Sequence, residues 1–301
     1  MVFERTVFDL NNINSMKKSI LLMAICAMLW STGGVFVKMI TWSPLLIAGL
    51  RSLTGAFIIA AYMIYKGIPL KVCRYSLGAA AGLSVCCNCY VIAAKLTTAA
   101  NAIVLQYSAP VFILIISAVF LRQRLQKKDT VVVAVTMCGI VMFFLDQISP
   151  GNMIGNAFGI LSGIGMAVMF VMTGRAGGDD SIRMSGLLLA QLLTSIVSIP
   201  TWLAATTSIS GTEIIYVLIL GVFQLGIPYV LYGIASKDCP PLACSLIGML
   251  EPIFNPIWVG IFLGEVPGIT ALVGGIIIIM VVAWWCVSDN MGVTARARSG
   301  A

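Results

Sequence analysis

The chain has 301 residues, 60% of them apolar and only 10% Asp, Glu, Lys or Arg, where a soluble domain carries about 25% charged residues. With a mean hydropathy of +1.04, this excludes a water-soluble enzyme or binding domain, whose surface needs far more charge. Histidine is absent and the net charge is +7, so the commonest general base and the commonest metal ligand are both missing.

A membrane-spanning helix needs about 20 apolar residues. After a polar segment at 1–18, ten apolar runs follow, at 19–40, 44–65, 76–95, 99–121, 130–145, 154–174, 184–205, 213–236, 241–263 and 268–287. Alternating β patterns are missing, so the class expected is an all-α polytopic membrane protein. The first run lacks a small-residue cleavage site and carries Trp30 and Lys38. It reads as a first span and not as a cleaved leader.

In chain order, several polar groups fall at depth. An intramembrane charge costs at least about 2.5–3.5 kcal/mol unless it is partnered or wet. Span one has Trp30 and Ser31 at mid-depth and Lys38 near its outer end, where snorkelling suffices. Arg51 lies seven residues into span two, about 10 Å below the outer surface by helix rise. It reads either as a ligand for a substrate carboxylate or as a structural partner of a helix end or of Glu251. Span three carries a polar line of Ser84, Asn88 and Lys95, with Lys95 at the outer mouth as a gate or an interface anchor. Its cysteines Cys86, Cys87 and Cys89 read as small packing residues, since no paired CxxC motifs exist and no zinc site is expected. Span four offers Gln106, Tyr107 and Pro110. Gly33 and Gly34 in span one, and Gly159 and Gly163 at GxxxG spacing in span six, read as close helix contacts.

Span eight shows Gln224, Pro228 and Tyr232 at i, i+4 and i+8. In span nine Glu251 is ten residues past Pro241, about 15 Å along the helix and so at the midplane. Asn255 and Trp258 follow on its face. Pro252 and Pro256 lack N–H groups and free carbonyls there, tolerable at mid-depth only inside protein or beside water. Pro110 and Pro228 break the ladder in the same way in spans four and eight. Trp42, Trp284 and Trp285 sit where interfacial tryptophans belong.

The loops test the topology. Of the 18 basic residues, all but Lys38, Arg51 and Lys95 fall in the connections that lie inside if the N-terminus is cytoplasmic, and the outside connections carry none. This is the positive-inside pattern, and it accounts for the net charge without nucleic acid. Both termini are expected in the cytoplasm. A shift of 142 residues superposes Ala48 on Ala190, Tyr90 on Tyr232, Ala93 on Ala235, Lys95 on Lys237, Pro110 on Pro252 and Phe112 on Phe254. Five spans per half is an odd number, so the halves enter the membrane in opposite senses. Ten transmembrane helices as two inverted five-helix repeats are therefore expected, at 19–145 and 154–287, with a cytoplasmic tail at 288–301. Such repeats enclose a substrate site near mid-membrane.

The stretches WSTGGVFVK (30–38), LLIAGLRSL (45–53) and AAKLTTAANAIVLQYSAPVFILIISAVFLRQRL, with ASKDCPPLACSLIGMLEPIFNPIWVGIFLGE in the second half, resemble the EamA-type drug/metabolite transporter superfamily. The resemblance covers about 19–287. It implies a ten-helix fold, a multi-pass location in the bacterial inner membrane and export of a small metabolite, often an amino acid or related compound. Many members end span four in Glu, whereas this chain has Gln123 there, opposite Glu265 in the second half.

The resulting expectation is a secondary transporter, not an enzyme, with no cofactor or metal. Its partners are a small-molecule substrate and lipid. The candidate substrate contacts are Trp30, Arg51, Asn88, Tyr107, Gln224, Tyr232, Glu251, Asn255 and Trp258, and the candidate gating residues are Lys95, Pro110, Pro228, Pro252 and Pro256. A passive channel or a small-molecule receptor is the alternative, since an apolar bundle with one polar stripe serves either.

Overall fold

The computed structural model describes residues 2–33, 36, 39–97, 99–143, 145, 152–203, 210–254, 258, 261, 268–270 and 273–285. The described residues form an all-helical bundle with no strand. Its helices are α1 (Val2–Trp30), α2 (Pro44–Tyr65), α3 (Arg74–Leu96), α4 (Ala99–Gln106), α5 (Ala109–Val119), α6 (Lys127–Phe143), α7 (Met153–Gly174), α8 (Asp180–Val197), α9 (Ile199–Leu203), α10 (Gly211–Ile219), α11 (Ile227–Ala235) and α12 (Pro241–Gly248). A π-helical segment, Leu220–Gly226, joins α10 to α11. Each of the ten apolar runs contains helix. Among the described residues, five helical stretches are long and apolar enough to cross a membrane: Pro44–Tyr65, Arg74–Ala93, Ala102–Val119, Met153–Gly174 and Gly211–Ala235. Pro241–Phe254 and Val273–Trp285 are apolar but shorter.

Local chemistry sets the helix ends. Pro44 occupies the first turn of α2, where its missing N–H costs nothing. Gly67 ends α2 in the left-handed region with φ 64°, and Ile68 N–H reaches back to Met63 O at 2.8 Å, the usual glycine stop. Asn152 caps α7 by accepting from Ile154 N–H at 2.8 Å, and Asp179 caps α8 by accepting from Ser181 N–H at 2.9 Å.

Lipid gives helices no hydrophobic reason to associate, so close packing of small residues holds the bundle together. The α3–α7 crossing shows this. A Cβ on Gly82 would stand 2.7 Å from Gly165 O, and one on Gly165 would stand 2.6 Å from Gly82 O. The two backbones touch, and Ser162 Oγ adds a hydrogen bond to Cys86 O at 2.9 Å. Gly159 and Gly163 of α7 press on Leu105, the contact expected from their spacing. Large apolar side chains face outward instead; Met153 is 86% exposed and Ile64 80%.

Polar contacts between connections fall into two separate sets. At one end, Lys71 Nζ pairs with Asp179 Oδ2 at 2.6 Å, Lys71 N–H donates to Ser185 Oγ at 2.8 Å, and Ser15 Oγ donates to Asp238 Oδ2 at 2.5 Å. The Lys71 bond holds the Asp179 carboxyl below the usual carboxylate range, and the same bond raises Lys71. A depressed acid stabilises above its unfolded value and loses that as pH falls through its folded one; a raised base does so below its unfolded value and loses it as pH rises through its folded one. The pair is therefore intact across neutral pH. At the other end, Glu213 accepts from Thr41 N–H (2.8 Å), Thr41 Oγ1 (2.8 Å) and Trp42 Nε1 (3.0 Å), and Thr97 Oγ1 donates to Asn156 Oδ1 at 2.9 Å. A separate apolar cluster of Ile40, Trp42, Leu46, Ile47, Val217 and Leu220 seals that second end.

Three sequence expectations need correction. Arg183, expected in a loop, is fully buried; its guanidinium donates to Gly233 O at 3.1 Å and also binds Gly177 O and Asp180. Those bonds satisfy the charge and cap the end of α11. Trp42 and Trp285, expected at the lipid interface, are buried because each indole N–H donates to a carboxylate, that of Glu213 and of Asp129. Trp284 is exposed.

Candidate functional site

Two chain breaks position the centre of the molecule. Helix α4 stops at Gln106 and α5 starts at Ala109, so the ladder is interrupted at Tyr107–Ser108. Helix α12 stops at Gly248 and helix resumes at Glu251. Both the stops (106 and 248) and the restarts (109 and 251) are 142 residues apart, the offset seen in the sequence. The cause is the same in each half. Pro110 and Pro252 stand at the second residue of the restarted helix, where a missing N–H is harmless, whereas in an uninterrupted helix it would break the ladder. The two breaks meet: Tyr107 Oη donates to Glu251 Oε2 at 2.5 Å.

Pro228 acts differently. No break follows it; the preceding turn widens, and Ile227 N–H bonds to Val222 O, five residues back. Such π segments re-aim side chains and recur at functional sites. Here the widened turn carries Gln224. Its Oε1 accepts from Arg51 Nη1 at 2.9 Å and its Nε2 donates to Trp30 O at 3.4 Å. Arg51 is 8% exposed, and its Nε has no hydrogen-bond partner. The indole N–H of Trp30, 7% exposed, is also unpartnered. Among the described contacts Arg51 and Glu251 form no ion pair. The reading of Arg51 as a direct partner of Glu251 is thus replaced by a bond to Gln224.

Trp30 ends α1 and packs against Tyr229, with ring centroids 5.4 Å apart and ring planes tilted by 54°. Trp258 reaches the same helix end, its Nε1 donating to Ser31 Oγ at 2.8 Å. The structure therefore gathers Trp30, Arg51 and Gln224 in one contact chain, pairs Tyr107 with Glu251 and sets Trp258 on the end of α1. Tyr232 also neighbours Trp30, with ring centroids 6.4 Å apart, but its hydroxyl is engaged elsewhere. It is fully buried, its hydroxyl is bonded to Thr173 Oγ1 and its ring packs edge-on to Phe170, which makes it core. Asn88 donates to Ser84 O at 2.9 Å and leaves Oδ1 unpartnered, with no described bond to the other candidates. Asn255, Pro256 and the side chain of Lys95 lie outside the described residues, as do Lys38 and Glu265.

Sequence reasoning missed Tyr229 and Glu213. Tyr229 follows Pro228 by one residue and falls off the i, i+4, i+8 line. Glu213 stands at a span end where a carboxylate looks solvated, and only the fold brings Thr41 and Trp42 to it. A cavity of about 370 Å³ opens at the basic end, lined by Ile113, Ser117, Gln123, Arg124, Arg175 and Pro241 among others.

Comparison with known proteins agrees with this architecture. A protein of known crystal structure superposes with a TM-score of 0.77 at 18% identity, over 89% of this chain and 96% of its own, a likeness of fold. An uncharacterized transporter of Archaeoglobus fulgidus is 25% identical over 269 residues, 86% of this chain and 93% of the relative. The model of the EamA-like transporter family matches twice, at residues 17–145 and 153–285. Those two matches together span most of the sequence, and the chain belongs to the EamA-like transporter family, a family of membrane transporters.

Proposed function

We propose that this transporter is a secondary carrier that exports a small zwitterionic metabolite of the amino-acid kind by alternating access. The observation that carries the substrate class is the pair of opposite poles at the centre. On one side are two buried donors without partners, Arg51 Nε and Trp30 Nε1. On the other is the Glu251 carboxylate, held by Tyr107 at 2.5 Å. A buried unpaired donor is costly to leave unmade, so a substrate carboxylate that pairs with Arg51 and Trp30 gains strongly, and Glu251 suits an ammonium.

The transport cycle rests on the repeat. In this proposal ten spans form two inverted halves, 19–145 and 154–287, between a cytoplasmic segment at 1–18 and a cytoplasmic tail at 288–301. Opposed halves give inward-open and outward-open states of similar energy. The two end contacts support this. Lys71 and Glu213 are 142 residues apart; each tethers the opposite half of the chain, Lys71 to Asp179 and Glu213 to Thr41 and Trp42. Glu213 and Trp42 of one tether are buried beside the apolar seal, and the 370 Å³ cavity lies at the opposite, basic end, which this proposal takes as the cytoplasmic one. The arrangement suits an inward-facing carrier, with Pro110, Pro228 and Pro252 at its flexing points.

Counterflow tests the proposal. Vesicles preloaded with unlabelled substrate should take up labelled substrate faster than empty vesicles, because a carrier returns loaded. Equal rates would point to a channel.

A further inference from the structure

We infer that Gln224 is a positioning residue, held by Gly33, that aims Arg51 at the substrate and is not itself a substrate contact. This rests on the reading of Arg51 as the carboxylate ligand. Both ends of the Gln224 amide are already engaged: Oε1 accepts from Arg51 Nη1 and Nε2 donates to Trp30 O. One lone pair and one N–H remain on the amide, but the two bonds fix its direction toward Arg51 and the end of α1.

The end of α1 shows why the amide is needed. The last carbonyls of a helix need partners from outside its regular ladder. Met28 O is taken by Ser31 Oγ at 2.6 Å, Leu29 O by Thr32 Oγ1 at 2.7 Å, and Trp30 O by Gln224 Nε2. Gln224 thus caps α1 with one atom and fixes the guanidinium with the other. Held through Nη1, the guanidinium keeps Nε free, and a planar fork fixed at one corner has the direction of its remaining N–H groups defined.

Two features let the amide reach. The π turn widens the helix at Gln224, and Gly33 leaves the space it occupies. A Cβ on Gly33 would come within 2.5 Å of Gln224 Cδ and would overlap Nε2 outright. The same economy recurs beneath Arg51, where a Cβ on Gly221 would lie 2.9 Å from Arg51 O. Gly33 is therefore a determinant of Arg51 geometry although it carries no side chain.

The test uses the purified full-length chain in lipid nanodiscs, with acetate and methylammonium as separate probes, read by thermal shift. Acetate should stabilise the wild type, and Arg51→Gln should abolish that response. Gly33→Ala and Gln224→Ala should each weaken acetate about tenfold, the loss expected for one charge-assisted hydrogen bond, and leave the methylammonium response unchanged. In Gln224→Ala the space clears, so adding Gly33→Ala should weaken acetate no further. If Gly33→Ala acts equally in both backgrounds, or if both single variants bind acetate like wild type, the positioning role is wrong while the Arg51 site stands. Acetate binding that survives Arg51→Gln would overturn the carboxylate reading and the inference together.

Discussion

Arg51→Gln is expected to reduce transport of carboxylate-bearing substrates about a hundredfold, as a rise in KM, while the protein stays folded. The size follows from removing one partner of a buried charge-assisted pair, which costs about 3 kcal/mol, at about 1.4 kcal/mol per factor of ten. The fold should tolerate the change. Arg51 makes a single described side-chain bond, to Gln224, and its Nε is unpartnered, so the resting structure gains little from the charge and bears its desolvation. A structural arginine behaves in the opposite way. Arg183 is fully buried with its guanidinium bonded to Gly233, Gly177 and Asp180, and its removal would leave those groups unpaired. Transport in proteoliposomes together with a melting curve separates the two cases. Loss of melting temperature in Arg51→Gln, with unchanged KM in the surviving protein, would make Arg51 structural.

The second large effect is expected at Glu251. Glu251→Gln keeps the size of the side chain and an oxygen to accept from Tyr107, so the meeting of the two breaks should persist. The negative charge is lost. Substrates bearing an ammonium should bind about tenfold to a hundredfold more weakly, because a charge-assisted bond becomes an ordinary one. A decarboxylated amine should lose as much as the parent compound, and a deaminated acid should lose little. If export exchanges substrate for a proton at this carboxyl, the pH dependence of uptake in vesicles should also flatten. An unchanged pH profile would remove proton exchange at Glu251 and leave it as an ammonium ligand.

The fold was legible wherever one physical rule acts along the chain. The span at 44–65 coincides with α2 (Pro44–Tyr65) because twenty-odd apolar residues between a proline and a glycine stop permit little else. The prolines at 110 and 252 announced breaks in register, and both breaks are present. Rules that depend on a distant neighbour were not legible. Pro228 predicted a break, but a widened turn absorbs the missing N–H. Tyr232 shares a face with Gln224, but Thr173 on another helix claims its hydroxyl and fixes it in the core. Gly33 read as a close helix contact, and only the placement of Gln224 shows what the space is for. Trp42 and Trp285 follow the interfacial pattern in sequence, but Glu213 and Asp129 draw them inward.

The central claim is that the two halves cross the membrane in opposite senses. Leu70 and Thr212 are equivalent positions 142 residues apart, and both are exposed in the structure. In a cysteine-free background, single cysteines at these positions can be probed on intact cells with a membrane-impermeant maleimide. Thr212→Cys should react from outside, and Leu70→Cys only after permeabilisation. Reaction of both from the same face would contradict the inverted arrangement and the carrier mechanism built on it.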